Sequence, residues 1–208
     1  TATAPSGVTG YTNGGTTTIA SQTLTNTTSA ALVVTYIATA TTTGVPCPGA
    51  PTPYTVTVNP VPLVVTSQTA TVCSGSAFTI TPADGGGNRV PVGTTYSWLA
   101  PSGFGFTGGS TASDQSAISQ TLVNTTNATV NAIYTVTPKL GDCSGVPFLV
   151  TITINPTPKV PTQLQDICSG VSFTVAPVNA APVTIIPVMT TYSWDAPIVT
   201  GNVTGGAA

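Results

Sequence analysis

Residues 148–155 read Phe-Leu-Val-Thr-Ile-Thr-Ile-Asn, and Pro156-Thr157-Pro158 follow at once. Val150, Ile152 and Ile154 alternate with Thr151 and Thr153, the two-residue period of a strand with one buried face. Threonine suits the open face, because its branched side chain fits a pleated surface. The prolines then stop the strand, since a proline nitrogen donates nothing to a ladder. The same rhythm runs through Tyr54-Thr55-Val56-Thr57-Val58, through Phe78 and Ile80 with Thr79 and Thr81, and through Tyr134 and Val136 with Thr135 and Thr137.

The ending recurs. Ile154-Asn155-Pro156 answers Val58-Asn59-Pro60, an offset of 154 − 58 = 96. Tyr96-Ser97-Trp98 returns as Tyr192-Ser193-Trp194, Ala4-Pro5-Ser6-Gly7 as Ala100-Pro101-Ser102-Gly103, and Cys47 as Cys143, each at 96. Gln22-Thr23-Leu24 and Asn26-Thr27-Thr28 match Gln120-Thr121-Leu122 and Asn124-Thr125-Thr126 at 120 − 22 = 98, and Cys73-Ser74-Gly75 matches Cys168-Ser169-Gly170 at 168 − 73 = 95. A period of about 96 residues is one domain's worth. With Asn-Pro-x-Pro as the hinge, residues 61–156 read as a complete repeat, residues 1–60 as the C-terminal half of a preceding one, and residues 157–208 as the N-terminal half of a following one. Neither half closes a core alone. Two explanations are open: a window from a longer array, or polymerisation in which the last half of one chain completes the first half of the next. Residues 196–208 repeat the phase of residues 4–16, which weighs against the second.

Within the complete repeat about seven strands are expected, near 62–69, 76–82, 94–99, 103–107, 116–123, 131–138 and 146–155. Turns such as Asp84-Gly85-Gly86-Gly87-Asn88 and Gly108-Gly109-Ser110 separate them. No stretch has helical periodicity, and 19 Pro with 21 Gly oppose one. Seven short strands in one period predict an all-β chain of tandem immunoglobulin-like β-sandwiches. Tyr96, Trp98 and Tyr134, with Tyr192 and Trp194 in the following copy, are the expected core aromatics; a sandwich of this kind often buries a Trp on its third strand.

Composition narrows function. Only 4% of residues are charged, where about 25% is usual, and there is no His and no Glu. The cations are Arg89, Lys139 and Lys159; the five carboxylates (Asp84, Asp114, Asp142, Asp166, Asp195) are scattered singly. A triad lacks its base, and no carboxylate pair is in place for acid–base work, so no enzyme is expected. Three cations cannot form a basic face for nucleic acid. Without His or a Cys-x-x-Cys spacing, neither a metal site nor a cofactor is expected. Mean hydropathy is +0.35. Yet no run of 18 apolar residues exists, so membrane insertion is not expected. The many Val, Ile and Thr residues are the reverse of a disordered composition. The sequence starts without Met or a signal peptide and reads as mature or excerpted.

A Pro-rich boundary, Cys73-Ser74-Gly75, Phe78-Thr79-Ile80, Thr95-Tyr96-Ser97-Trp98, Tyr134-Thr135-Val136-Thr137, a second Cys at 143 and the closing Thr151-Ile152-Thr153-Ile154-Asn155-Pro156 together resemble the PKD-like repeats of Bacteroidota. Such repeats occur in giant cell-surface adhesins, including gliding-motility adhesins exported by type IX secretion. The resemblance covers the whole chain. It implies an extracellular location at a bacterial cell surface and a structural role. After Trp98 this chain has Leu99-Ala100-Pro101-Ser102-Gly103 in place of an acidic Gly-Asp run, which argues against calcium.

Four Cys without other redox chemistry read as disulfides in an oxidising compartment. Cys73–Cys143 would close one repeat and leave Cys47 and Cys168 to pair outside the window; Cys47–Cys73 with Cys143–Cys168 would staple neighbours across hinges; free thiols are the third reading. The place of Cys143 before the last strand favours the first. Asn26, Asn124, Asn127 and Asn202 fit a glycosylation pattern, but the matched positions of Asn26 and Asn124 favour a turn role. The leading expectation is a stalk segment of a long adhesin or surface filament, contacting neighbouring repeats, with a surface insensitive to pH between about 5 and 9. The alternatives are a carbohydrate-binding module, with Tyr11, Phe104 and Phe106 as the only candidate contacts, and a fibre subunit joined to other copies of itself by strand complementation.

Overall fold

The computed structural model describes residues 1–44, 47–201 and 204. Asn202 of the last glycosylation pattern and most of residues 202–208 lie outside the described residues. Among the described residues every regular element is a strand: β1 (Ala2–Thr3), β2 (Val8–Thr9), β3 (Thr25–Asn26), β4 (Leu32–Ala38), β5 (Thr52–Val58), β6 (Gln68–Cys73), β7 (Ala77–Ile80), β8 (Thr95–Trp98), β9 (Phe106–Gly108), β10 (Ala112–Gln115), β11 (Ile118–Asn124), β12 (Val130–Leu140), β13 (Cys143–Ser144) and β14 (Phe148–Asn155).

From β6 onward the strands form a sandwich. One sheet runs β10-β8-β12-β14-β6, with β13 against the end of β12; the other runs β7-β11-β9. The stretch that opened the sequence reading is β14. Its Val150, Ile152 and Ile154 are fully buried, as the alternation requires. Ala132, Tyr134 and Val136 of β12 and Ile118 and Leu122 of β11 join them. β14 lies antiparallel to β12, from Val130↔Ile154 to Val136↔Phe148, and parallel to β6, from Val150↔Gln68 to Asn155↔Cys73. The chain is all-β.

Aromatic rings lock the two sheets together. Trp98 meets Tyr134 edge-on at 6.4 Å, and Phe78 from the opposite sheet packs on Tyr134 at 5.8 Å. Trp98 keeps its indole N–H satisfied on the Ser110 carbonyl at 3.1 Å. The Tyr134 hydroxyl donates to Gln120 Oε1 at 2.9 Å.

The strand expected at 62–69 lies later, at 68–73. Pro60 and Pro62 are buried at the start of this stretch, and only Leu63 makes a ladder contact there, a bridge to Arg89. Proline blocks the earlier residues from pairing. The sequence reading also missed β10, a short polar strand that bulges against β8.

A second, smaller core belongs to β1–β5. β1-β4-β5 form one sheet and β2-β3 pair beside it, around Val8, Val34 and Tyr36. Residues 157–201 contain no strand, only the bridges Lys159↔Ile185 and Ala180↔Thr184. Tyr192 and Trp194 were expected in a core and are not: they are 51% and 73% exposed. The strands that cover their counterparts Tyr96 and Trp98 belong to the second half of a repeat, and residues 157–201 have no such half beside them.

Candidate functional site

The hinge between β5 and the sandwich is the most elaborately built surface of the chain. Leu63 and Arg89 exchange two backbone hydrogen bonds of 2.8 Å, and Arg89 Nε donates to the Val61 carbonyl at 2.7 Å. The guanidinium thus clamps the hinge. Asp84 Oδ1 accepts from the Val90 N–H at 2.7 Å and, across the hinge, from the Ser29 hydroxyl at 2.6 Å. The Ser29 bond, then the Val90 bond, hold the Asp84 carboxyl below its ordinary pKa. Gly145 abuts the Pro62 carbonyl so closely that a Cβ there would collide with it.

The outgoing hinge is built differently. Ser74 N–H donates to the Asn155 carbonyl at 2.8 Å, Thr129 Oγ1 to Asn155 Oδ1 at 3.0 Å, and Thr157 Oγ1 to the Ser74 carbonyl at 3.3 Å. Lys159 and Ile185 then exchange two backbone bonds of 2.8 Å, repeating Leu63 and Arg89 at 159 − 63 = 96. Thr94 and Thr190 likewise each donate a hydroxyl to the carbonyl three residues back, at 2.7 Å. The hinge lobe is therefore the same local structure in two copies.

An asparagine buckle sits just inside each outgoing end. Asn124 Nδ2 donates to the carbonyls of Ala128 at 2.7 Å and Ile154 at 2.9 Å, and Asn124 Oδ1 accepts from the Thr126 N–H at 2.8 Å. Asn26 does the same with Ala30, Val58 and Thr28, at 2.7, 2.8 and 2.9 Å. Both side chains are buried and both amide hydrogens are used, so these two sites are turn fasteners and not glycan acceptors. Gln22 takes the Tyr36 hydroxyl at 2.7 Å as Gln120 takes that of Tyr134. The paired Gln-Thr-Leu-x-Asn spacing carried this signal in the sequence. The Ser29–Asp84 bond left no trace there, since it depends on how two loops meet.

The three candidate ligand-contact aromatics do not converge. Tyr11 packs on the smaller core and Phe106 on the larger one. Only Phe104 stands free, at 90% exposure. Among the described residues no cluster of three or more Cys or Asp could hold a metal, and no helix is long and apolar enough to cross a membrane.

The cysteine expectation needs correction. All four are free thiols. Cys73 is the register partner of Asn155 at the outgoing end, whereas Cys143 pairs with Leu140 at the incoming end. Since Val130 faces Ile154, that separates them by roughly eleven residues of β12, about 36 Å at about 3.3 Å per residue. A disulfide needs Cα atoms within about 7 Å. The turn before the last strand is on the wrong end of the domain for the bond it was expected to make.

The two-sheet module of β6–β14, flanked by proline-rich hinges and with its polar groups spent on holding turns, has the build of a structural β-sandwich domain. A family model for the PKD-like domain matches residues 1–62 and 70–158. The chain belongs to the PKD-like domain family. Domains of this family are typically structural and usually extracellular. Comparison with curated proteins and with solved structures gives no match.

Proposed function

We infer that this chain is a stalk segment of a long extracellular adhesin or surface filament, an extended spacer in cell-surface adhesion or gliding. The observation that carries this reading is the placement of the two hinges. The incoming hinge lies by Pro62 and Gly145, and the outgoing hinge lies by Asn155 and Ser74, at opposite ends of β12 and β14. A module entered at one end and left at the other propagates as a rod, and short proline linkers keep neighbours from folding back. The sparse charge gives a surface on which salt has little purchase. The resemblance to Bacteroidota repeats supplies the cell-surface and type IX context.

Small-angle scattering on arrays of two, three and four in-phase repeats tests this. Maximum dimension should grow by about 35–40 Å per added repeat, the span of a six- to ten-residue strand plus loops. Growth that levels off would reject the spacer reading.

A further inference from the structure

In the sequence Gly85-Gly86-Gly87 reads as a turn between strands; the fold makes it part of the incoming hinge. All three glycines have positive φ, at 99°, 61° and 94°. Only glycine takes such a run without strain. Gly85 and Asn88 exchange backbone hydrogen bonds of 3.2 and 3.0 Å, and Asn88 Nδ2 donates to the Ala83 carbonyl at 3.2 Å. The turn so closed sets Asp84 and Arg89 at its two feet, and both reach the hinge.

Linker residues 61–65 belong mechanically to the sandwich. Leu63 pairs with Arg89, Arg89 Nε holds the Val61 carbonyl, and Asn88 Oδ1 accepts from the Val65 N–H at 3.0 Å. Pro62 and Val64 are buried there. Strand β5 belongs to the β1–β5 unit, and its last residue is tied down where Asn26 Nδ2 donates to the Val58 carbonyl at 2.8 Å. Between the two, Asn59 and Pro60 remain. Proline has its φ fixed, and a residue before proline is driven toward extended backbone. The Ser29 hydroxyl, on the turn after β3, donates to Asp84 Oδ1 at 2.6 Å and closes a ring over these two residues. A bond across so short a connection costs little entropy to close, because few torsions are left to fix.

We propose that the turn at 83–90 is a latch for the preceding unit, and that the Ser29–Asp84 bond fixes the angle between β1–β5 and the sandwich. The partner it fits is the turn at 27–30, which offers a hydroxyl to a carboxylate. The latch belongs to this hinge and not to the repeat in general. In the second copy Ala180, Ala181 and Pro182 stand where the glycines would, Ile185 with no donor replaces Arg89 (185 − 89 = 96), and Asn127 replaces Ser29 (127 − 29 = 98). Asn179 Oδ1 still takes the Ile186 N–H at 2.9 Å, as Asp84 takes that of Val90, so the foot of the turn recurs without the glycine run or the guanidinium. The inference stands apart from the spacer reading, because a rod can be strung from loose joints as well as fixed ones.

Residual dipolar couplings of the ¹⁵N-labelled 208-residue chain test it. In the native chain one alignment tensor should fit the amides of β1–β5 and of the sandwich together. Ser29→Ala or Asp84→Ala should end that: the two units then need separate tensors, and the couplings of the smaller unit shrink. Ser29→Thr keeps the hydroxyl and should keep the single tensor. Slow hydrogen exchange of the β14 amides should persist in Ser29→Ala, which distinguishes a freed hinge from a damaged sandwich. Separate tensors in the native chain, a single tensor surviving both alanine variants, separate tensors in Ser29→Thr, or a loss of the single tensor that comes only with opening of β14 would each overturn the proposal.

Discussion

Residues 1–60 and residues 157–201 match opposite halves of residues 61–156 in sequence, yet among the described residues only the first has strands. The difference lies in where each half finds its hydrogen bonds. β4 and β5, like β12 and β14, are antiparallel neighbours from one stretch of chain, so the second half of a unit pairs with itself. In the first half, β6 pairs with β14, β7 with β11 and β8 with β12. No strand of the first half pairs with another of the first half. Residues 157–201, with no such strands paired to them, keep only the bridges Lys159↔Ile185 and Ala180↔Thr184. Side-chain pattern alone does not make a strand; the backbone must have somewhere to pair.

The largest expected effect sets Trp98 against Trp194. Trp98→Ala removes a ring that is 4% exposed and should cost the whole repeat about 3–5 kcal/mol in urea unfolding. Trp194→Ala, at the matching position in the unpaired half, should change stability by less than about 0.5 kcal/mol. Equal losses would mean that the trailing half is folded into a core.

Next comes the asparagine buckle. Asn124→Ala strips donors from the Ala128 and Ile154 carbonyls in a dry site, for about 2–3 kcal/mol by thermal or chemical melting. Asn26→Ala should cost less, because Val58 beside it is half-buried where Ile154 is fully buried, and water can replace the lost bond. Gly108 has φ +82°, and a Cβ there would lie 2.6 Å from the Thr121 carbonyl oxygen. Gly108→Ala should therefore destabilise by about 1–2 kcal/mol in the same assay.

Titration should produce the smallest effects. Stability is expected to be flat from about pH 5 to 9, since no group with a shifted pKa titrates there. Burial pushes the Tyr134 hydroxyl up to about 12, so the fold favours the neutral phenol. Its contribution is complete below the ordinary phenol value near 10 and is lost as pH rises from there toward about 12. Tyr134→Phe should shrink that alkaline limb and leave the part that belongs to Tyr96, whose hydroxyl burial also pushes up. Asp84 is shifted downward, so its contribution is complete above the ordinary carboxylate value near 4 and fades as pH falls through the lower folded one. Ser29→Ala should shrink this acid limb and leave the part held by the Val90 N–H, and at an exposed site the change is small.

Much of this architecture was legible in the sequence because its information is periodic. Alternation gave β14 and β12 their buried faces, and the 96-residue offset gave the hinges and the recurrence of the asparagine turn. What failed was what depends on register. Nothing in the spacing of Cys73 and Cys143 tells that the two occupy opposite ends of a sheet. The shift of the first strand from 62–69 to 68–73 likewise follows from its parallel alignment with β14, a long-range pairing. Tyr192 and Trp194 were misplaced for a related reason: a core position is a property of the completed unit and not of the motif that marks it.

The parallel alignment of β6 with β14 also decides how a unit carries load. The chain enters through β6 and leaves through β14, and the two run side by side over six paired positions from Val150↔Gln68 to Asn155↔Cys73. Tension applied end to end slides these strands along each other, so their backbone bonds are strained in shear together and do not unzip one after another. A module built this way yields abruptly at high force.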